Sequence, residues 1–226
     1  MPVPRVALLT IGQSPRPDLC AAILQALPRG VEAMQVGLLD GLDTATVAAR
    51  FPVRLGDFPL LTRLREGEAV SIGSSAVESG LQRKIEDIEA AGIERIVLLC
   101  TGCFPTLRTQ RAWLVEPDRV VVAQVAALAG DRRLGLVVPM TSQIREAPVK
   151  WADALSVDPL CAAASPYDST DQLVDAGLAL ERAGAEALVL DCMGYGEAHR
   201  AALAQVSGLP VFVSAMVLAG ALAPLL

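Results

Sequence analysis

The sequence predicts an α/β protein built from two similar αβα lobes with mainly parallel sheets, and three observations support this fold class. Apolar strand-like runs alternate with amphipathic helical segments, a pattern typical of parallel sheets covered by helices. The residues are 53% hydrophobic but only 4% aromatic, so small aliphatic side chains must form most of the core. The same order of elements occurs twice, and each time it ends with a strand followed by a cysteine.

The first half begins with the apolar run VALLTI at 6–11, which suits a strand covered on both faces. The polar loop GQSPRPD follows, and Pro17 suits the first turn of a helix that ends before Pro28. A second strand is predicted at 31–39. It precedes a stretch at 41–64 whose short elements follow no single pattern.

The rest of the first half leads to the first of two prominent cysteines. A short strand, AVSI at 69–72, precedes a long amphipathic helix for which Ser74 or Ser75 is the expected N-cap. The strand IERIVLLC then follows, which places Cys100 at the carboxyl end of a buried strand.

The second half repeats this order. The run RVVVA at 119–123 predicts a strand that precedes a helix, and RLGLVVP at 133–139 predicts a further strand. The polar turn MTSQ after that strand corresponds to GQSP in the first half. Ser169 or Thr170 is expected to cap the next helix, and the strand AEALVLDC then ends at Cys192.

The expected domains are a first lobe at 1–112, completed by the C-terminal segment 210–226, and a second lobe at 113–209. No low-complexity linker separates the lobes, so we expect them to pack together around a shared cleft. Parallel sheets hold ligands outside the carboxyl ends of their strands. Both cysteines are predicted to lie there, and therefore at the ligand cleft between the lobes.

Charge and hydropathy exclude several classes of protein. The net charge of -6 and the absence of a basic run argue against nucleic-acid binding, so an anionic ligand needs local cationic or N–H groups. The uncharged segment 206–226 approaches the roughly 20 residues that a membrane span requires. Its internal Gly208 and Pro210 favour a strand, VFVS, followed by a buried helix, so no membrane partner is expected.

The N-terminus has no signal-peptide pattern, which predicts a cytoplasmic location. In that compartment the five cysteines are expected to be thiols rather than disulfides. The expected partner is a small-molecule carboxylate, and a homodimer is possible.

Two short motifs carry the chemistry. LLCTGCFP and LVLDCMGYG each place a cysteine after a strand and before a glycine-containing turn. A thiol at a helix N-terminus has a lowered pKa, which suits proton transfer near neutral pH. The alternative is a small buried residue at a strand end. Cys100 and Cys103 also form a CxxC pair, but the chain lacks the second ligand pair that a metal site would need.

Other side chains have open interpretations. Arg16 is either a solvated or ion-paired residue or a ligand contact, and His199 is either a packing residue or a catalyst. Asp191 is expected to be a turn residue or a neighbour of the site rather than a base, because a carboxylate facing a thiolate raises the pKa of the thiol. Packing roles are expected for the remaining cysteines and the two tryptophans: Cys20, Cys161, Trp113 and Trp151.

The motifs LLTIGQSPRPD and LVLDCMGYGEAHR resemble those of the AroM family, which is related to the aspartate, glutamate and hydantoin racemase superfamily. The resemblance covers essentially the whole chain and implies a racemase-like fold. It also implies a two-base mechanism without cofactor or metal, in which Cys100 and Cys192 are the acid and base. Arg16 would add a bidentate partner for the substrate carboxylate. Groups implied to hold the carboxylate and the enolate-like intermediate are Gln13, Ser14, Thr101, Gly102, Thr141, Ser142 and Gly194.

The leading hypothesis is therefore an isomerase that racemises or epimerises a small carboxylate. A second hypothesis is a decarboxylase or lyase in which one cysteine protonates an enolate, which requires Cys192 but tolerates the loss of Cys100. A third is a non-catalytic protein that binds or senses a small anionic metabolite.

Overall fold

Two parallel sheets form the framework of the computed structural model, which describes residues 3–223 and Leu225. Ten strands occur in this part of the chain: β1 (Arg5–Thr10), β2 (Glu32–Gly37), β3 (Pro59–Arg63), β4 (Ala69–Gly73), β5 (Arg95–Leu99), β6 (Trp113–Val115), β7 (Leu134–Val138), β8 (Leu160–Ala163), β9 (Ala187–Leu190) and β10 (Val211–Val213). The α-helices are α1 (Pro17–Ala26), α2 (Thr44–Arg50), α3 (Ser74–Ala90), α4 (Pro117–Ala129), α5 (Ala147–Ala152), α6 (Thr170–Arg182), α7 (Glu197–Ser207) and α8 (Ser214–Leu222).

The two sheets have the same topology. The first has the strand order β2-β1-β5-β6 and the second the order β8-β7-β9-β10, and all neighbouring strands in both are parallel. Strands β3 and β4 form a separate antiparallel hairpin within the first half. The prediction of an α/β protein with two similar, mainly parallel lobes is therefore confirmed.

The central strands have apolar side chains on both faces, as expected for a sheet covered by helices. Alternate residues of β1 enter different clusters: Val6 and Leu8 join a core shared by strands of both sheets, whereas Ala7 and Leu9 pack on the opposite face. The shared core continues through residues of the second sheet such as Leu136. The two halves are therefore packed against each other through an apolar interior.

Helices α1 and α3 begin and end close to the predicted residues. Pro17 is the first residue of α1, as its fixed φ angle favours. Neither Ser74 nor Ser75 caps α3 through its side chain. The N-cap is Gly73, and the carboxylate of Asp57 accepts a hydrogen bond from the Ser75 backbone amide. The predicted cap was therefore wrong, although the start of the helix was correct.

The run at 119–123 lies within helix α4, so the predicted strand there was wrong. A short apolar run does not distinguish a buried strand from a buried helix by its periodicity. Here Pro117 begins the helix, and Val121 and Val125, one turn apart, are buried on the same face. The strand of this region is the preceding β6.

Strand β6 pairs with β5, so the first sheet extends past residue 112, where we predicted the first lobe to end. Within the segment 210–226, β10 joins the second sheet, whereas α8 contacts α1 and α4. Pro224 and Leu226 of that segment lie outside the described residues. The division of the chain into lobes at these positions stays a prediction.

Among residues 3–223, no helix has both the length and the apolar character that a membrane crossing requires. Val211–Val213 is a strand and helix α8 begins at Ser214, as the VFVS pattern indicated.

Candidate active site

A cavity of about 900 Å³ lies at the carboxyl ends of the central strands of both sheets. Thr10, Leu99 and Val138, the last residues of β1, β5 and β7, line it, as does Asp191, which directly follows β9. This is the position that parallel sheets favour for ligands. The volume lies near the upper end of the range for small-molecule sites.

Cys100 and Cys192 both line this cavity, and both are free thiols. The backbone around them is matched. The amide of Gly102 donates to the sulfur of Cys100 at 3.4 Å, and the amide of Gly194 donates to the sulfur of Cys192 at 3.4 Å. The two cysteine loops, 100–104 and 192–196, therefore hold their sulfurs through equivalent contacts.

Both thiols have raised pKa values, contrary to the expectation from sequence. Burial raises the pKa of Cys100 to about 12 and that of Cys192 to about 11, and outweighs the amide hydrogen bonds that lower both values. Neither cysteine is followed directly by a helix; α7 begins only at Glu197. No helix N-terminus directly follows either cysteine to lower its pKa, so both thiols are expected to carry protons at neutral pH.

A buried ion pair connects the two cysteine loops. The Lys150 ammonium lies 2.6 Å from the Asp191 carboxylate and also donates to the Thr101 carbonyl at 3.2 Å. The indole N–H of Trp151 donates to the same carboxylate at 3.0 Å, and the Thr101 hydroxyl donates to the Asp191 carbonyl at 3.2 Å. The Lys150 and Asp191 side chains are only 19% and 3% exposed. Lys150 thus places a positive charge beside both cysteines, and this charge favours their thiolate forms.

Sequence reasoning missed Lys150. It is one of only two lysines in the chain and follows MTSQ in the short helix α5, but no local motif marks it. Asp191 was expected to be a turn residue or a neighbour of the site. In the structure it lines the cavity and its carboxylate accepts hydrogen bonds from Lys150 and Trp151.

Arg16 is a buried cation in the wall of the cavity. Its Nη2 donates to Asp18 at 2.6 Å and to the Tyr167 hydroxyl at 3.0 Å, whereas Nη1 is buried without a hydrogen-bond partner among the described residues. Burial disfavours the charged guanidinium, but the hydrogen bonds to Asp18 and Tyr167 leave its pKa above the ordinary value. Arg16 thus places a fixed, buried positive charge in the wall of the cavity.

Tyr167 is a second residue that sequence reasoning missed. It lines the cavity, and burial raises the pKa of its hydroxyl to about 12. A Cβ atom added at Gly194 would lie 3.2 Å from that hydroxyl, so the hydroxyl lies close to the second cysteine loop.

The sequence motifs and the whole chain agree with one family. A family model described as AroM protein matches residues 6–226. The chain belongs to the AroM family. The sequence matches no curated protein in a direct sequence search.

Solved structures with the same fold extend the comparison of this AroM chain. It superposes on allantoin racemase from Klebsiella pneumoniae with a TM-score of 0.59 and 16% identity, covering 98% of this chain and 88% of that one. An arylmalonate decarboxylase gives a TM-score of 0.63 and 16% identity, covering 97% and 92%. A glutamate racemase isoform from Bacillus anthracis gives 0.66 and 13%, covering 98% and 81%. At these identities the likeness establishes the racemase-like fold.

Several residues implied by the resemblance line the cavity, and others do not. Thr101, Gly102 and Gly194 lie in its wall beside the cysteines. Gln13 and Ser14 do not line it. The Gln13 amide donates to the carbonyls of Leu39 and Leu42, and the Ser14 hydroxyl donates to Asp40 at 2.7 Å. Because these polar groups hold the loop after β1 in place, the expectation that they contact substrate is not supported.

Thr141 and Ser142 are exposed and lie outside the cavity wall. They form a single 3-10 turn with Gln143, which is buried, lines the cavity and donates to the Pro59 carbonyl at 2.8 Å. The predicted polar turn after β7 exists, but Gln143 rather than Thr141 or Ser142 lines the cavity.

The alternatives left open for other side chains can now be compared with their positions. His199 lies outside the cavity wall, where its Nδ1 accepts the Gly196 amide at 3.0 Å and its ring packs edge-on against Tyr195. It acts as a helix-capping residue. Trp151 is fully buried, whereas Trp113 is 64% exposed on the edge strand β6. Cys20 is buried and Cys161 half-buried, as expected for packing residues.

Proposed function

We propose that this protein is a cofactor-independent racemase or epimerase of a carboxylate, with Cys100 and Cys192 as its acid and base. One observation carries the proposal: two free cysteines at corresponding strand ends of two halves with the same topology line one cavity. A planar carbon intermediate held between them could lose a proton from one face and gain one on the other.

The proton transfers balance without a further reagent. One thiolate removes the proton from the substrate α-carbon, and the electron pair of the C–H bond moves into the carboxylate to form an enediolate. The other thiol then gives its proton to the opposite face of the carbon. The two cysteines finish with their protonation states exchanged, so the next turnover can run in reverse or after proton exchange with solvent.

Only one thiol needs to ionise for this reaction, and the charges oppose ionisation of the second. A negative Cys192 raises the pKa of Cys100, so the two thiols are not both deprotonated near neutral pH. Both pKa values lie far above neutrality, so substrate binding must promote the ionisation of one thiol. When Cys192 is the thiolate it is the base and Cys100 is the acid, and in the reverse direction the roles are exchanged.

Two largely buried positive groups, Arg16 and Lys150, line the cavity and would stabilise the negative charge of the enediolate. Both are N–H donors held in place before reaction: Lys150 by Asp191 and the Thr101 carbonyl, and Arg16 by Asp18 and Tyr167. Such donors, fixed before reaction, stabilise a developing anion more than its neutral precursor.

A second candidate function follows from the protonated state of the thiols. A decarboxylase needs only a proton donor, because loss of CO₂ from a malonate-type diacid leaves an enediolate that one S–H group protonates. Both cysteines carry protons at neutral pH, so either is ready to donate. In this alternative Cys192 is required and Cys100→Ala retains activity.

Incubation in deuterated water distinguishes these functions. The purified protein is mixed with amino acids, hydantoins, 2-substituted acids and 2-substituted malonates, and NMR follows exchange of the α-proton and release of CO₂. We expect α-deuteration with inversion, which is lost in both Cys100→Ala and Cys192→Ala. Release of CO₂ that survives Cys100→Ala would instead support the decarboxylase. A ligand-induced thermal shift without exchange or CO₂ release would contradict both and indicate a binding protein.

A further inference from the structure

The Lys150–Asp191 ion pair has one end at each cysteine loop. The Lys150 ammonium lies 2.8 and 2.6 Å from the two carboxylate oxygens of Asp191 and donates to the Thr101 carbonyl at 3.2 Å. Thr101 directly follows Cys100, whereas Asp191 directly precedes Cys192. The positive end of the pair therefore contacts the first loop, and the negative end lies beside the second.

Several contacts fix the orientation of this pair. The Asp191 carboxylate also accepts the indole N–H of the buried Trp151 at 3.0 Å, and the Asp191 carbonyl accepts the Thr101 hydroxyl at 3.2 Å. Lys150 and Trp151 are consecutive residues of α5. Because little water reaches these groups, their charges act on nearby atoms with weak screening. The pair therefore acts on the cavity as a fixed dipole.

The two sulfurs respond mainly to opposite ends of the dipole. Burial is the main cause of the raised pKa of both thiols, and the charges modify it. For Cys192, Asp191 raises the pKa more than Lys150 lowers it. For Cys100, Lys150 has the larger effect of the two and lowers the pKa. The pair thus favours a thiolate in the first loop and a protonated thiol in the second.

The other charges near the sulfurs act in the opposite sense. Asp118 raises the pKa of Cys100, and Arg16 lowers that of Cys192, so these two residues favour a thiolate in the second loop. The remaining titratable groups near Cys192 or Asp191 are neutral at pH 7, because burial raises their pKa values: Cys161, Tyr167 and Tyr195. The ion pair therefore offsets the bias that Arg16 and Asp118 create.

A reaction that runs in both directions needs two thiols of comparable acidity. Each sulfur is the base for one enantiomer and the acid for the other. If the acidities differed widely, ionisation would fall almost always on the same sulfur, and the free protein would be ready for only one enantiomer. A device that narrows the difference keeps both directions available.

We propose that Lys150 and Asp191 are positioning residues whose oriented ion pair balances the two sulfurs, so that either of them can become the negative one. The positive end offsets Asp118 at the first loop, and the negative end offsets Arg16 at the second. This role acts through the cysteines and needs no contact with substrate. The inference deepens the proposed function and rests on it for the two-way reaction, whereas the effect on the sulfurs is independent of any reaction.

The double variant Lys150→Met with Asp191→Asn tests the balance, because it removes both charges and leaves neither partner unpaired. Iodoacetamide labelling at pH 9 without substrate, followed by mass spectrometry of peptides, gives a separate rate for each sulfur. We expect the Cys100 rate to fall, the Cys192 rate to rise, and the ratio of Cys192 to Cys100 to increase about threefold or more. A general loosening of the cavity would instead speed both reactions.

Two controls separate charge from packing. Trp151→Phe removes the indole donor to the same carboxylate but no charge, and Lys84→Met removes the other lysine of the chain, which lies in α3 outside the cavity wall. We expect both to keep the ratio within about twofold of the wild-type value. A shift in Trp151→Phe as large as that in the double variant would show that packing sets the ratio, and would overturn the inference.

An unchanged ratio in the double variant, or two rates that move in the same direction, also overturns the inference. If the double variant does not fold, Asp191→Asn alone decides, because it keeps the shape of the side chain and should raise the ratio through Cys192.

The two proposals fail separately. Exchange of a substrate α-proton by a protein whose labelling ratio is insensitive to the ion pair supports the racemase and overturns the balancing role. A ratio that shifts as expected, in a protein that exchanges no α-proton, supports the charge effect and overturns the racemase.

Discussion

The two cysteine loops share a backbone arrangement but not their charged neighbours. Each cysteine follows a central strand, and each sulfur accepts a hydrogen bond from the backbone amide of the residue two positions later. Directly before the second loop, the Asp191 carboxylate accepts a hydrogen bond from Lys150. In the first loop, Lys150 donates only to the carbonyl of Thr101. The repeated fold provides two proton-carrying groups whose charged neighbours differ: Asp191 and Arg16 act on the pKa of Cys192, whereas Asp118 acts on that of Cys100.

The largest expected effect comes from removing either sulfur. Cys100→Ser and Cys192→Ser should each lower racemisation by about 10²–10⁴-fold, because a general acid or base is lost in each case. Steady-state rates measured by circular dichroism with one enantiomer as substrate test this. If one variant keeps nearly full activity, the loops are not partners in one reaction.

Lys150→Met should lower the free energy of unfolding by about 3 kcal/mol, because it leaves the buried Asp191 carboxylate without its cation. Urea denaturation measures this loss. The double variant Lys150→Met with Asp191→Asn should recover much of it, since no buried charge remains unpaired. If the loss in the double variant equals the sum of the losses in Lys150→Met and Asp191→Asn alone, the coupling between Lys150 and Asp191 is contradicted.

The pH dependence of alkylation tests the order of the two pKa values. Both thiols have pKa values raised far above neutrality, so the thiolate fraction, and with it the rate of iodoacetamide labelling, should rise about tenfold per pH unit between pH 7 and 9. Mass spectrometry of peptides should show Cys192 modified before Cys100. Rapid, pH-independent labelling at neutral pH would show that a thiolate already exists without ligand.

The smallest effect on stability is expected from replacing His199, which lies just after the second cysteine loop. His199→Ala removes the acceptor for the Gly196 amide at the start of α7, and we expect a loss of about 1 kcal/mol in unfolding free energy with unchanged activity. Thermal denaturation and the steady-state rate together measure it. A fall in the rate that exceeds the fall in stability would instead assign His199 to the reaction.

The sequence could predict the cysteine positions because strand ends and glycine turns are local features. Cys100 and Cys192 each follow an apolar run, and parallel strands bring their carboxyl ends to one edge. A position directly after a strand did not predict where the side chain points. Gln13 and Ser14 follow β1, but their side chains bind the loop at 39–42. Their polar groups could not be assigned to the loop or to the ligand without the fold.

The charged residues of the site could not be found from sequence because they come from helices without a motif. Lys150 lies in α5, and Asp118 lies in α4 directly before the run at 119–123 that was predicted to be a strand. Both reach the cavity only through the packing of α4 and α5 beside the cysteine loops. Whether each of them is buried, and whether it has an ion-pair partner, depends on the folded structure.

Incorporation of deuterium from solvent tests the two-cysteine mechanism most directly. A single enantiomer of a carboxylate that the protein racemises is incubated in deuterated water, and both enantiomers are isolated at low conversion. Two thiols on opposite faces predict deuterium at the α-carbon of the product enantiomer and hydrogen in the recovered substrate. Equal deuterium in both enantiomers would show that one group serves both faces, and would contradict the pairing of Cys100 with Cys192.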